Sequence, residues 1–195
     1  LALLAAPLSG EDLYLEVPKA HRVKNQPSRL GVGLCWFSAA ETAGRHAKIR
    51  PLRGLVERLR SDPDPVGQLG AEPKDVWHWE TRLGVTGRHN PHGKTPGGLS
   101  FIRRQLREGL PVVVCVEDWP THPALPKKLP ASPEEAKAYS NKMRELGLRL
   151  DDYLYWHSVL LVGETLHRWG DRTVSRAVWV VDSNEPDRVK GYELA

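Results

Sequence analysis

Residues 26–45 read QPSRLGVGLCWFSAAETAGR. A polar amide, Gln26, leads through a glycine-bearing loop, Gly31-Val32-Gly33, to Cys35, where a helix-forming run begins and continues through Trp36-Phe37-Ser38-Ala39-Ala40-Glu41-Thr42-Ala43. Gly44 is the weak point of that helix. A cysteine at a helix N-terminus meets the positive end of the helix dipole and unpaired N–H groups, which favours the nucleophilic thiolate. The same N–H groups offer donors to an oxyanion developing beside the sulfur. The competing reading of a single cysteine before Trp and Phe is a small buried hydrophobe. The rest of the chain has to decide between them.

Working outward, Leu13 to Val17 alternates as a short strand closed by Pro18. After the Cys35 helix, Pro51 to Arg60 reads as a further short helix and Ser61 to Glu72 as a loop. Lys74 to Leu83 is expected to be helical with Trp77 and Trp79 both partly buried, and Gly84 to Gly98 to be a polar loop. Leu99, Ile102 and Leu106 give Leu99 to Glu108 a helical apolar face, and Pro111 to Val116 follows as a buried strand. Glu117 to Ala131 is irregular, and Ser132-Pro133-Glu134-Glu135 opens a charged surface helix to about Leu146. Tyr153 to His167, Arg172 to Asp182 and Arg188 to Leu194 are β-runs. Helices early and strands late predict an α+β fold.

A length of 195 residues suits one domain with a sizeable core, and 40% hydrophobic with 27% charged residues describes an ordinary globular chain. Net charge is +4, with acidic residues interleaved, so the basic stretch Arg45 to Arg60 reads as the solvated side of helices and no nucleic-acid partner is expected. No transmembrane span is expected. The apolar opening, LALLAAPLSG, fits the tail of a secretory signal or a helix cut from a longer chain, so localisation, secreted or cytoplasmic, stays open. Two cysteines make no disulfide framework; Cys115, within Pro111 to Val116, reads as core and leaves Cys35 as an unpaired thiol.

A base and its partner come from the late strands. His157 sits in Tyr155-Trp156-His157-Ser158-Val159-Leu160-Leu161-Val162-Gly163, and Asp182 ends Val178-Trp179-Val180-Val181-Asp182. An unbulged antiparallel hairpin turning between Trp169 and Gly170 would set His157 directly opposite Asp182, with Cβ atoms about 4.5–5.5 Å apart. The carboxylate would then hold one imidazole nitrogen and leave the other for the sulfur. Asn184, two residues on and facing Tyr155 in this register, is the reserve for the third position.

Gln26, the run Cys35-Trp36-Phe37-Ser38-Ala39, and His157-Ser158-Val159-Leu160-Leu161-Val162-Gly163 together resemble the signatures of papain-like cysteine peptidases. Leu106 to Val114 is similar to the helix-to-strand passage of bacterial members, among them double-glycine-leader peptidases and some secreted effector proteases. The resemblance spans about residues 13 to 185. It implies one papain-like domain over residues 1–195, a helical lobe of about 26–108 carrying the Cys35 helix and a sheet lobe of about 109–195 carrying His157 and Asp182. It implies Cys35 as nucleophile, His157 as base, Asp182 as orienting residue and Gln26 as oxyanion donor. The chain departs from papain itself in three ways: Gln26 stands nine residues before Cys35, the third residue is Asp182 rather than asparagine, and the papain disulfide partners are missing.

The expected activity is peptide-bond hydrolysis through an acyl-enzyme, with a peptide or protein substrate and no cofactor. Glutamine deamidation or transglutamination by the same triad, and a non-catalytic binding module on the same fold, are the alternatives. Trp36, Trp119 and Trp156 are candidates to line a substrate groove, against an alternative as core aromatics. His89 with His92, and His78 with Glu80, offer metal ligands but form no zinc motif, so no metal is expected.

Overall fold

The computed structural model describes residues 9–30, 33–62, 76–90, 97–117, 124, 132–147, 156–169 and 172–194. The fold is α+β, with helices packed on a five-stranded antiparallel sheet. The strands are β1 (Ser9–Tyr14), β2 (Val112–Glu117), β3 (Trp156–Trp169), β4 (Arg172–Val181) and β5 (Val189–Leu194). The α-helices described are α1 (Cys35–His46), α2 (Leu55–Ser61), α3 (Val76–Leu83), α4 (Gly97–Arg107) and α5 (Pro133–Glu145).

β3 is the axis of the sheet. Its first half pairs with β2 and its second half with β1, end to end along one side, while β4 and then β5 follow on the other. Alternation along β3 divides the core. Leu160 and Val162 pack with Val17, Ala39 and Val181 on the α1 side, whereas Val159 and Leu161 pack with Leu106, Val180 and Ile102 on the α4 side. The sheet is thus covered on both faces at its centre. Strand β1 runs over Ser9–Tyr14 rather than the expected residues 13–17. At the C-terminal end of β1, a Cβ on Gly163 would lie 2.8 Å from the Leu13 carbonyl, so only a glycine lets the two strands come so close there.

Helix α1 starts at Cys35, as the sequence predicts, and most of its length is buried. Ser38 and Thr42 donate their hydroxyls back to the carbonyls of Leu34 (3.0 Å) and Ser38 (2.8 Å), which satisfies them in an apolar setting. Glu41 is buried as well, accepting from Arg45 and from the N–H groups of Gly54 and Val56 at 2.9 Å each. It therefore ties α1 to the left-handed Gly54 and to the start of α2. Gly44 does not interrupt the helix: a Cβ there would lie 2.4 Å from Leu52 Cβ, so the glycine is what allows the Arg50–Leu52 turn to pack against α1.

The core of the helical side joins Leu34, Trp36, Phe37, Leu52, Leu55, Val56, Leu59 and Trp79, with Trp79 edge-on to Phe37 at 4.7 Å. Trp77, expected to be partly buried beside Trp79, is instead 65% exposed and stacks on His89. Arginines of the basic stretch knit local loops. Arg58 donates to the Arg53 and Pro51 carbonyls and Arg60 to the Pro27 carbonyl, while Arg29 reaches the Arg60 carbonyl from outside the stretch. The Ser132 cap of α5 accepts from the Glu135 N–H at 3.2 Å, the expected helix start. No helix among the described residues is long and apolar enough to cross a membrane. The apolar opening 1–8, the loop residues 63–72 and most of the irregular stretch 118–131 lie outside the described residues.

Candidate active site

The first turn of α1 has no side-chain cap, so its N–H groups remain for other partners. Cys35 opens that turn at 9% exposure and meets His157, which comes from the start of β3 and is wholly buried. Burial alone would push the Cys35 thiol up. It is outweighed by a hydrogen bond and charge attraction from His157 and by the N–H groups of Ser158 and Trp36, so the thiol is held below its ordinary value. Burial works against the imidazolium too, but hydrogen bonds from it to Asp182 and Cys35 carry His157 up to about 9. Both shifts run in the direction that favours a thiolate facing an imidazolium.

His157 Nε2 lies 2.7 Å from Asp182 Oδ1, so Nδ1 is the ring nitrogen left for Cys35. Burial would raise the Asp182 carboxyl; the hydrogen bond to His157, its charge, the Asn184 N–H and Lys190 hold it below the usual carboxylate range. The Asn184 N–H donates to Asp182 Oδ1 at 2.9 Å, and the Glu185 N–H to the Asp182 carbonyl at 3.0 Å. Asp182 therefore opens a turn that its own side chain caps. Lys190 Nζ stands 3.6 Å from Oδ2 and 3.0 Å from Glu185.

The unbulged hairpin register is corrected by the structure. Trp169 pairs with Arg172, so the connection falls on residues 170–171; an extra residue on β4 between Thr173 and Ser175 and one on β3 between Leu161 and Gly163 then shift the ladder in opposite senses and cancel before the site. At the site the register is Leu160 with Val181, and its straight continuation would set Asn184, not Asp182, opposite His157. The ladder stops at Val181 because Asp182 starts the turn, and the carboxylate reaches His157 diagonally from there.

Gln26 is half-buried, and its carbonyl accepts the Leu34 N–H at 3.2 Å. An isolated bridge between Pro27 and Gly33 closes the chain between them, so the longer spacing folds into a loop and returns the Gln26 backbone to the residue before Cys35. Residues 31–32 of that loop lie outside the described residues. Asn184 does not contact the imidazole through its side chain in any described bond; its Oδ1 accepts from Asn25 Nδ2 at 2.8 Å. Asn25, Ser158 and Lys190 are site neighbours that the sequence reading passed over. Nothing in their types marks them, though Asn25 adjoins Gln26 and Ser158 follows His157.

Trp36 is buried and packs edge-on to Phe37 in the helical core. Trp119 lies outside the described residues, and Trp156 is described only as the first residue of β3. Cys115 sits on β2 with its sulfur 3.3 Å from Ser158 Oγ, and burial raises its thiol. Among the described residues no three His, Cys, Asp or Glu side chains gather as a metal site. His89 pairs with Glu80 at 2.9 Å, and His92 lies outside the described residues. Comparison with protein-family models, with curated proteins and with solved structures finds no match to this chain.

Proposed function

We propose that the chain is a papain-like cysteine peptidase, with the Cys35 helix packed on the antiparallel sheet that carries His157 and Asp182. The observation that carries the reading is the depressed Cys35 thiol paired with an imidazole that is itself held by Asp182 at 2.7 Å. The Cys35 thiolate attacks the carbonyl carbon of a peptide bond, and the carbonyl electron pair moves onto oxygen. The Cys35 N–H and the Gln26 carboxamide stabilise that oxyanion. The His157 imidazolium gives its proton to the leaving amine, and an acyl-enzyme thioester remains. Neutral His157 then takes a proton from water, the hydroxide attacks the thioester, and the thiolate leaves to re-form the ion pair. Asp182 keeps the imidazole in the tautomer that presents Nδ1 to sulfur and stabilises the imidazolium.

The test pairs labelling with product analysis. A peptidyl vinyl sulfone should modify Cys35 and not Cys115, and labelled casein should yield new amino termini. Ammonia release from casein glutamines without chain cleavage would transfer the same triad to deamidation or transglutamination. Neither product, with Cys35 unlabelled, would leave a non-catalytic binding module.

A further inference from the structure

The Asn25 and Asn184 side chains lie 159 residues apart in sequence, yet meet at 2.8 Å. Both are buried. A second bond runs beside the first, from the Asn25 N–H to the Ser183 carbonyl at 2.7 Å. Residue 25 is thus clamped by main chain and side chain to the turn that begins at Asp182. The next residue, Gln26, is held from the other side, its carbonyl taking the Leu34 N–H at 3.2 Å. One short piece of backbone, residues 25–26, therefore touches both the turn that orients His157 and the start of the helix that carries Cys35.

We propose that the Asn25–Asn184 amide pair is a positioning device for the oxyanion site, fixing the Gln26 peptide so that its carboxamide meets the charge that develops beside Cys35. This rests on the cysteine-peptidase reading. An oxyanion donor acts only when its position is set in advance to within about half an ångström. Gln26 stands at the mouth of a long loop, and the Pro27–Gly33 bridge closes that loop without tying it to the sheet. The ties to the end of the sheet are the amide pair and the Asn25 N–H bond to the Ser183 carbonyl beside it. Among the described residues, Asn25 Oδ1 is buried without a hydrogen-bond partner, a cost that accompanies the pairing of its Nδ2 with Asn184. Asn184 thereby has a role distinct from that of Asp182: it acts through Gln26, not on the imidazole.

The experiment compares Asn25→Ala, Asn184→Ala and Gln26→Ala with the double variant Asn25→Ala/Gln26→Ala. It uses the best-cleaved member of a pool of fluorogenic peptide amides and, separately, iodoacetamide alkylation of Cys35 across pH. Gln26→Ala should lower kcat by about a hundredfold to a thousandfold, the range for a lost oxyanion donor, and each asparagine change by a smaller factor of about tenfold or more, with little change in KM. The pH at which Cys35 alkylation half-develops should not move, since alkylation forms no oxyanion. Asn25→Ala should add almost nothing once Gln26 is alanine. If an alanine variant does not fold, Asn184→Leu keeps the buried volume while removing the acceptor, and the same outcomes apply. Full kcat in Asn25→Ala, an additive loss in the double variant, or a moved alkylation midpoint would overturn the positioning role alone. A wild type that cleaves no member of the pool and leaves Cys35 unlabelled would overturn the peptidase reading and this role with it.

Discussion

Replacing Asp182 with asparagine probes the site with the least change in shape. His157 Nε2 keeps an oxygen within reach, and the Asn184 N–H keeps its acceptor, so the turn after β4 should hold. What is lost is the negative charge. A hydrogen bond to a charged group contributes about 1.5–3 kcal/mol, against about 1 kcal/mol for a neutral one. The difference, about 0.5–2 kcal/mol, corresponds to about one pH unit at 1.36 kcal/mol per unit. His157 is raised to about 9 in the native protein, so the imidazolium is complete well below that pH and is lost as pH rises through it. In Asp182→Asn the same loss should come about one unit lower. The weaker imidazolium also supports the thiolate less, so the Cys35 thiol should titrate higher and the ion-pair window should narrow from both sides. The pH dependence of kcat/KM on a fluorogenic peptide amide reads the alkaline limb, and ¹³C-labelled histidine NMR reads His157 directly. An alkaline limb that stays at the wild-type pH in a folded variant would refute the assignment of Asp182. A limb that moves in Asn184→Ala instead would hand the role to Asn184.

Three further outcomes follow from other parts of the structure. Near pH 6 iodoacetamide should modify Cys35 well ahead of Cys115, whose thiol burial raises, and His157→Ala should remove most of that lead; equal rates by mass spectrometry would contradict the ion pair. Glu41→Ala strips two backbone N–H groups and the partly exposed Arg45 of their acceptor, and should cost about 2–4 kcal/mol, mostly from the two N–H groups left without an acceptor. A thermal midpoint within about 2 °C of wild type would contradict that value. Gly163→Ala drives a Cβ against the Leu13 carbonyl and should cost about 1–3 kcal/mol. Amide exchange should report β1 loosening before the rest of the sheet.

What could be read in the sequence was whatever neighbouring residues decide. The start of α1 at Cys35, the Ser132 cap and the α+β order are set by contacts within a turn or two, and they are found where the sequence puts them. Trp77 and Trp79 show the limit of that reading. Residues two apart on a helix point to different sides, so one core cannot take both, and only the position of Phe37 selects Trp79. The close approach of β1 to β3 depends on a missing side chain at Gly163, on a strand about 150 residues away.

The site repeats that division. Cys35, His157 and Asp182 are each visible from their own surroundings, because a cysteine at a helix start, a histidine in a β-run and an acid at a strand end are local patterns. How Asp182 reaches His157 is not local. The pairing of Trp169 with Arg172 at the hairpin end, rather than a turn between Trp169 and Gly170, changes which side chains oppose one another, and direct opposition would have favoured Asn184. Asp182 still meets the imidazole because its carboxylate accepts the N–H two residues on, which ends the ladder and turns the side chain back. The turn frees Asn184 from the imidazole and delivers its amide to Asn25, next to Gln26. One local bond at Asp182 thus sets both the orientation of the proposed base and the anchor beside the proposed oxyanion donor.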